Sequence, residues 1–93
     1  MQTGIIQQHL EFQAAFVEPT LFLGATSQMA IAREEVFGPV TAITAFDTVE
    51  EAIALANDSI YGLAAAVWTR DLKQAHRVVA ALEAGVVWVN CFG

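Results

Sequence analysis

The sequence predicts an α/β fold, a partial parallel sheet assembled from β-α-β-α-β units. Three observations lead there. Short apolar runs at residues 40–46, 63–68 and 86–90 alternate with two stretches of helical periodicity. The loops between them are short, and consecutive units of this kind form parallel sheets through helical crossovers. The runs carry apolar residues on both faces, as strands of a parallel sheet do.

From the amino terminus, Ile5, Ile6, Leu10 and Phe12 follow no clean period, and a short helix around residues 6–15 is the available reading. Residues 17–23 read as a strand with Pro19 at its start or edge, since proline cannot donate to a ladder. Residues 24–28 are a loop, and residues 29–35 have room for one helical turn. Pro39 disfavours α conformation at Gly38, so any helix stops before it. Residues 40–46, Val-Thr-Ala-Ile-Thr-Ala-Phe, are β-branched and apolar and read as a strand.

A helix starts next. Thr48 with Glu51, and Asp47 with Glu50, both have capping-box spacing, so either frame serves. Val49, Ala52, Ile53 and Ala56 form its apolar stripe, and Asn57-Asp58-Ser59 ends it. After a turn at Tyr61-Gly62, residues 63–68 fit a strand or a helix on pattern. Their shortness and the helix start that follows favour a strand. Asp71 or Thr69 caps the next helix, with Leu72, Ala75, Val79 and Leu82 on one side. Gly85 is placed as its left-handed terminating residue. Residues 86–90 are the last strand.

Ninety-three residues make at most one domain. Hydrophobic residues are 56% of the chain and charged residues 15%, against roughly 25% charged in an average soluble domain. A small domain has much surface for its volume and needs polar residues to cover it. Some of this apolar surface is therefore expected to face a partner, through self-association or a complementing chain. Asn57, Asp58, Ser59 and Gly62 interrupt the longest apolar stretch, which rules against a spanning helix. A net charge of −6 with four basic residues argues against nucleic acid. The amino terminus lacks the positive region of a secretory signal. One cysteine, Cys91, permits no internal disulfide. Both point to the cytoplasm.

The candidate site is Arg33-Glu34-Glu35-Val36-Phe37-Gly38-Pro39, a tight entry into the strand. Two readings of it stand. Glu35 offers acceptor oxygens for a diol and Phe37 a flat face for a ring. Alternatively the glutamates are solvated and Phe37 is core. Cys91 has no adjacent base and reads as a structural cysteine at a strand end. His76 reads as a surface or boundary residue on its helix. Two histidines and one cysteine have no zinc spacing. The isolated glycines form no phosphate-binding loop.

The same seven residues resemble the E-E-[IV]-F-G-P motif of the NAD(P)-dependent aldehyde dehydrogenases. Glu18-Pro19-Thr20-Leu21-Phe22, Ala54-Leu55-Ala56-Asn57-Asp58 with Tyr61-Gly62-Leu63, Trp68-Thr69-Arg70-Asp71-Leu72, and Gly85-Val86-Val87-Trp88-Val89-Asn90 resemble further motifs of that family, in order. The resemblance covers residues 16–93, a partial catalytic domain, and leaves 1–15 as an unmatched segment. It implies that Glu35 binds the nicotinamide ribose hydroxyls and that Phe37 packs near the nicotinamide ring. It also implies that the family's nucleophilic cysteine, general base and phosphate-binding region lie outside these motifs. No residue here takes a catalytic role. NAD or NADP is the cofactor of the complete enzyme and is not expected to bind tightly to this chain alone. The expected function is that of an aldehyde dehydrogenase fragment, inactive by itself, whose complete form oxidises an aldehyde to a carboxylic acid. The alternatives are a non-catalytic binding or assembly module, half of a split enzyme, or a frameshifted remnant.

Overall fold

The computed structural model describes residues 17–93; the helix expected at residues 6–15 lies outside them. The elements are β1 (Thr20–Leu23), α1 (Ala30–Arg33), β2 (Val40–Ile43), α2 (Val49–Asn57), β3 (Ala64–Val67), α3 (Leu72–Ala81) and β4 (Val86–Val89). The expected β-α-β-α-β order holds from β2 to β4. The chain divides into two compact units, Met1–Ala45 and Phe46–Gly93. Its strands pair as two parallel two-stranded sheets, β1 with β2 and β3 with β4, in place of one continuous run.

In the first unit, Thr20 to Leu23 pair in register with Val40 to Ile43. The ladder opens where the Thr20 N–H donates to the Pro39 carbonyl at 2.9 Å. Pro19 has no N–H, so β1 is shorter than the strand expected from residue 17. At the other end Gly24 turns the chain with a φ of +70°, a left-handed conformation that glycine adopts without steric cost. β2 therefore loses its neighbour at Ile43, and the expected extension to residue 46 does not form. The Ala25 N–H instead donates to the Ile43 carbonyl, and Thr44 Oγ1 donates to the Ala25 carbonyl at 2.7 Å. Thr20, Phe22 and Ala25 are buried, with Phe22 at 4% exposure. Leu21 and Leu23 point the other way and are 58% and 64% exposed. The strand thus buries one face where its composition suits two.

In the second unit, α2 begins in the Thr48 frame. Thr48 Oγ1 accepts from the Glu51 N–H at 3.1 Å, and Glu51 Oε2 accepts from the Asp47 N–H at 2.8 Å. α3 uses both of its candidates. Asp71 Oδ1 accepts from the Gln74 N–H, and Thr69 Oγ1 accepts from the Asp71 N–H. Ala75 is the buried centre of α3, with Val78, Val79 and Leu82 half-buried, while Leu72 at its start is exposed. Residues 64–67 are a strand, which settles the open choice there; they pair with Val86 to Val89.

The expectation for Gly85 is corrected. Its φ is not left-handed, and α3 ends on an extended Leu82 instead. Gly85 is required by proximity. Its N–H donates to the Gly62 carbonyl at 2.9 Å, and a Cβ on it would lie 3.3 Å from the Leu63 carbonyl oxygen. A Cβ on Gly62 would lie 3.1 Å from the Glu83 carbonyl oxygen. Two glycines let two backbones meet at the mouth of the β3–β4 pair.

Candidate functional site

The segment 33–39 is built by breaking a helix early. α1 ends at Arg33, and Glu34 is already extended at φ −105° and ψ 143°, its N–H closing the last turn on the Ala30 carbonyl. Pro39 disfavours helix at Gly38, and the chain has already left helix at Glu34, five positions before that proline. The chain then tightens. The Gly38 N–H donates to the Val36 carbonyl at 2.9 Å and the Val40 N–H to the Gly38 carbonyl at 2.8 Å. Both are three-residue turns of the kind common where a strand begins.

Each end of this segment is held. The Pro39 carbonyl accepts from Thr20, the first residue of β1. Arg33 Nη1 donates to the Ser27 carbonyl at 2.9 Å. Between these anchors Glu34, Glu35, Val36, Phe37 and Gly38 are exposed. Phe37 is 92% exposed and so is not core in this chain. Among the described residues, no hydrogen bond or ion pair engages the carboxylate of Glu35. The loop therefore presents a carboxylate and an aromatic ring two residues apart in sequence, both on the surface, on a backbone fixed by hydrogen bonds. Such a pair can accept from adjacent hydroxyls and offer an apolar face to a planar ring.

The other sequence candidates belong to the second unit. Cys91 is a free, exposed thiol just after β4. His76 is exposed on α3. The second unit has an open groove of about 480 Å³ whose lining includes Val49, Ile53, Val67, Trp68 and Leu82. Its lining is predominantly apolar and carries no ionisable group, so it offers packing rather than acid–base chemistry. Among the described residues, no helix is long and apolar enough to cross a membrane.

Two asparagines, Asn57 read from the sequence as part of a helix end and Asn90 as part of a motif, have a structural job that was not identified from the sequence. Asn57 donates through Nδ2 to the Ala81 carbonyl at 2.8 Å and accepts through Oδ1 from the Glu83 N–H at 2.9 Å, tying the end of α2 to the end of α3. Asn90 does the same to a single residue. Its Oδ1 accepts from the Thr69 N–H at 2.9 Å and its Nδ2 donates to the Thr69 carbonyl at 3.0 Å. Asn90 sits at φ 54°, a left-handed conformation that asparagine tolerates better than most residues. The available signal was an asparagine directly after an apolar run. A carboxamide carries one acceptor and one donor group and can pair with a peptide edge as another strand would.

The aldehyde dehydrogenase family model matches residues 3–93, a span that takes in most of the amino-terminal segment where no motif was readable. A betaine aldehyde dehydrogenase of Mesorhizobium japonicum is 57% identical over 77 residues, which are 83% of this chain and 16% of that protein. A peroxisomal aminoaldehyde dehydrogenase of Pisum sativum is 54% identical over 88 residues, 95% of this chain and 17% of that one. An indole-3-acetaldehyde dehydrogenase of P. syringae, solved in complex with NAD+, superposes with a TM-score of 0.81 at 58% identity, covering 83% of this chain and 16% of the other. The chain thus spans about one sixth of the length of the relatives it matches.

Proposed function

The chain belongs to the aldehyde dehydrogenase family, and from that premise we propose that residues 33–39 form the cofactor-facing edge of an NAD(P)-dependent aldehyde-oxidising site. Residues 16–93 are then the portion of the catalytic domain that carries it. Glu35 accepts hydrogen bonds from the two hydroxyls of the nicotinamide ribose, and Phe37 packs beside the nicotinamide ring. The dinucleotide, when bound, supplies the acceptor for the hydride that leaves the substrate carbon. The residues here suit its nicotinamide–ribose end only, because the sequence has no glycine-rich cradle for phosphates. The chain alone accordingly turns over no aldehyde. The observation that supports this reading is the exposure of Glu35 and Phe37 on a loop anchored at both ends.

An ionised carboxylate accepting from both hydroxyls of one ribose orients the attached ring as well as binding it. Hydrogen bonds to charged groups contribute about 1.5–3 kcal/mol, or about 10–150-fold in affinity. The test is a chimera in which the 77 matched residues of this chain replace their counterparts in the M. japonicum enzyme. Glu35→Gln should weaken NAD+ binding, read by calorimetry, about tenfold or more with an unchanged melting temperature. Glu34→Gln should do little. Silence of both variants would reduce the pair to a solvated turn. Damage from Glu34→Gln alone would move the assignment by one residue.

A second reading concerns assembly. Ile60, Leu63, Trp68 and Leu72 are exposed in one small unit, and apolar surface of this kind marks interaction sites. The chain is then expected to self-associate or to pair with a complementing chain, in the cytoplasm, where the single free thiol stays reduced. Light scattering after size exclusion tests this; a monodisperse, cooperatively melting monomer would refute it.

A further inference from the structure

We propose that Arg33 is a positioning residue for the cofactor end of this site, acting through its hydrogen bond to the Ser27 carbonyl. The proposal rests on the assignment of Glu35 and Phe37 above and names what holds them.

The argument follows a chain of bonds within the first unit. The end of β2 grips Ala25 twice, through the Ala25 N–H on the Ile43 carbonyl and through Thr44 Oγ1 on the Ala25 carbonyl. Ala25 is 2% exposed, so this grip is packed as well as bonded. From there the loop turns, with the Met29 N–H donating to the Thr26 carbonyl at 3.1 Å. Ser27 lies inside that turn, and its carbonyl is the acceptor for Arg33 Nη1 at 2.9 Å. Arg33 is the last residue of a four-residue helix, two residues before Glu35. A single helical turn has little intrinsic stability in water. The guanidinium bond therefore ties the last residue of α1 to a loop that the sheet already fixes. On the far side the Thr20–Pro39 bond performs the same task for Phe37. Arg33 and Pro39 bracket five exposed residues whose only internal backbone bond joins Gly38 to Val36. A planar guanidinium, always charged and preorganised for donation, suits the role.

Removing the Arg33 side chain leaves the amino-terminal end of the bracket to the backbone bonds of α1, from the Arg33 N–H to Met29 and the Glu34 N–H to Ala30, and leaves every candidate cofactor contact in the chain. Placement of the Glu35 carboxylate should suffer, and aldehyde binding should not. The experiment uses the same chimera, with NAD+ affinity measured by calorimetry, aldehyde KM by steady-state kinetics and Tm by calorimetric scanning. The variants are Arg33→Ala, Arg33→Lys, Glu35→Gln as reference and Lys73→Ala, in the second unit, as a control. Arg33→Ala should weaken NAD+ binding about 3–10-fold, with aldehyde KM and Tm unchanged. Arg33→Lys keeps one donor and should stay within about twofold of the parent. Lys73→Ala should be silent. The proposal is overturned if Arg33→Ala binds NAD+ as the parent does while Glu35→Gln binds weakly. It is equally overturned if Arg33→Ala lowers Tm and shifts aldehyde KM together with NAD+ affinity, since the arginine would then be structural. A silent Glu35→Gln would remove the assignment of the site itself.

Discussion

The Asn57 clamp yields a stability change that can be worked out in advance. Asn57→Ala removes two hydrogen bonds, to the Ala81 carbonyl and from the Glu83 N–H. Each is worth about 0.5–1.5 kcal/mol net, so the gross loss is about 1–3 kcal/mol. Alanine is the better helix former by up to about 0.7 kcal/mol, and that gain opposes the loss. The bonds win, with a balance of about 0.5–2 kcal/mol against the folded state. For a small protein with a urea m-value near 1 kcal/mol/M, the midpoint falls by about 0.5–2 M. Trp68 and Trp88 both belong to the unit that Asn57 braces, so tryptophan fluorescence follows the transition. Because association would raise the apparent midpoint, the titration is run at two protein concentrations. Asn57→Asp keeps an acceptor for Glu83 and loses the donor to Ala81, and its midpoint should fall between the other two. A midpoint for Asn57→Ala at or above that of the parent would show that water replaces the carboxamide and that packing alone holds α2 against α3.

The glycines give a graded set. Gly62→Ala and Gly85→Ala press a methyl group against the Glu83 and Leu63 carbonyl oxygens and should each cost about 1–3 kcal/mol by urea titration. Gly38→Ala meets nothing within 4 Å and should leave the midpoint unchanged or raise it slightly. The exposed Arg77–Glu50 pair predicts a titration. The hydrogen bond from Arg77, with its charge, lowers the Glu50 pKa below the ordinary glutamate value. A lowered folded-state pKa gives stability that is present above the unfolded pKa and is lost as pH falls through the folded one. NMR titration should show Glu50 moving back toward the ordinary value in Arg77→Gln; an unmoved midpoint would mean the pair is not formed in solution.

Local chemistry made the helices readable and long-range contact hid the rest. Thr48, Asp71 and the two apolar stripes announce their helices because a cap and its target lie three residues apart. The capping frame of α2 was open because Asp47 and Thr48 both have the right spacing, and only the bond to the Glu51 N–H decides it. Gly85 was misplaced because a glycine after a helix usually supplies a left-handed φ, whereas here its use depends on Gly62 and Leu63, more than twenty positions away in sequence. The strand ends were overrun for the same reason. Thr44 and Ala45 have strand composition, but a ladder needs a partner, and β1 has already turned away at Gly24. The asparagine clamps span 21 to 26 residues of sequence, a distance at which a single sequence carries no pairing signal.

The candidate loop shows the opposite case, where composition alone pointed both ways. Burying a phenylalanine contributes roughly 1.5–3 kcal/mol, which is why a core role for Phe37 was a fair expectation. The loop takes its shape without that contribution. Thr20 with Pro39, Val36 with Gly38, and Ser27 with Arg33 are bonds through backbone carbonyls, and none passes through the Phe37 ring. A ring left 92% exposed leaves no cavity in this chain when it is truncated. Gly38 makes the same point from the backbone, since neither its φ nor its surroundings here require a glycine. An aromatic that the local fold does not use, beside a carboxylate that no described residue engages, on a backbone fixed by other means, is what a binding edge requires: contact groups whose positions are set before the ligand arrives.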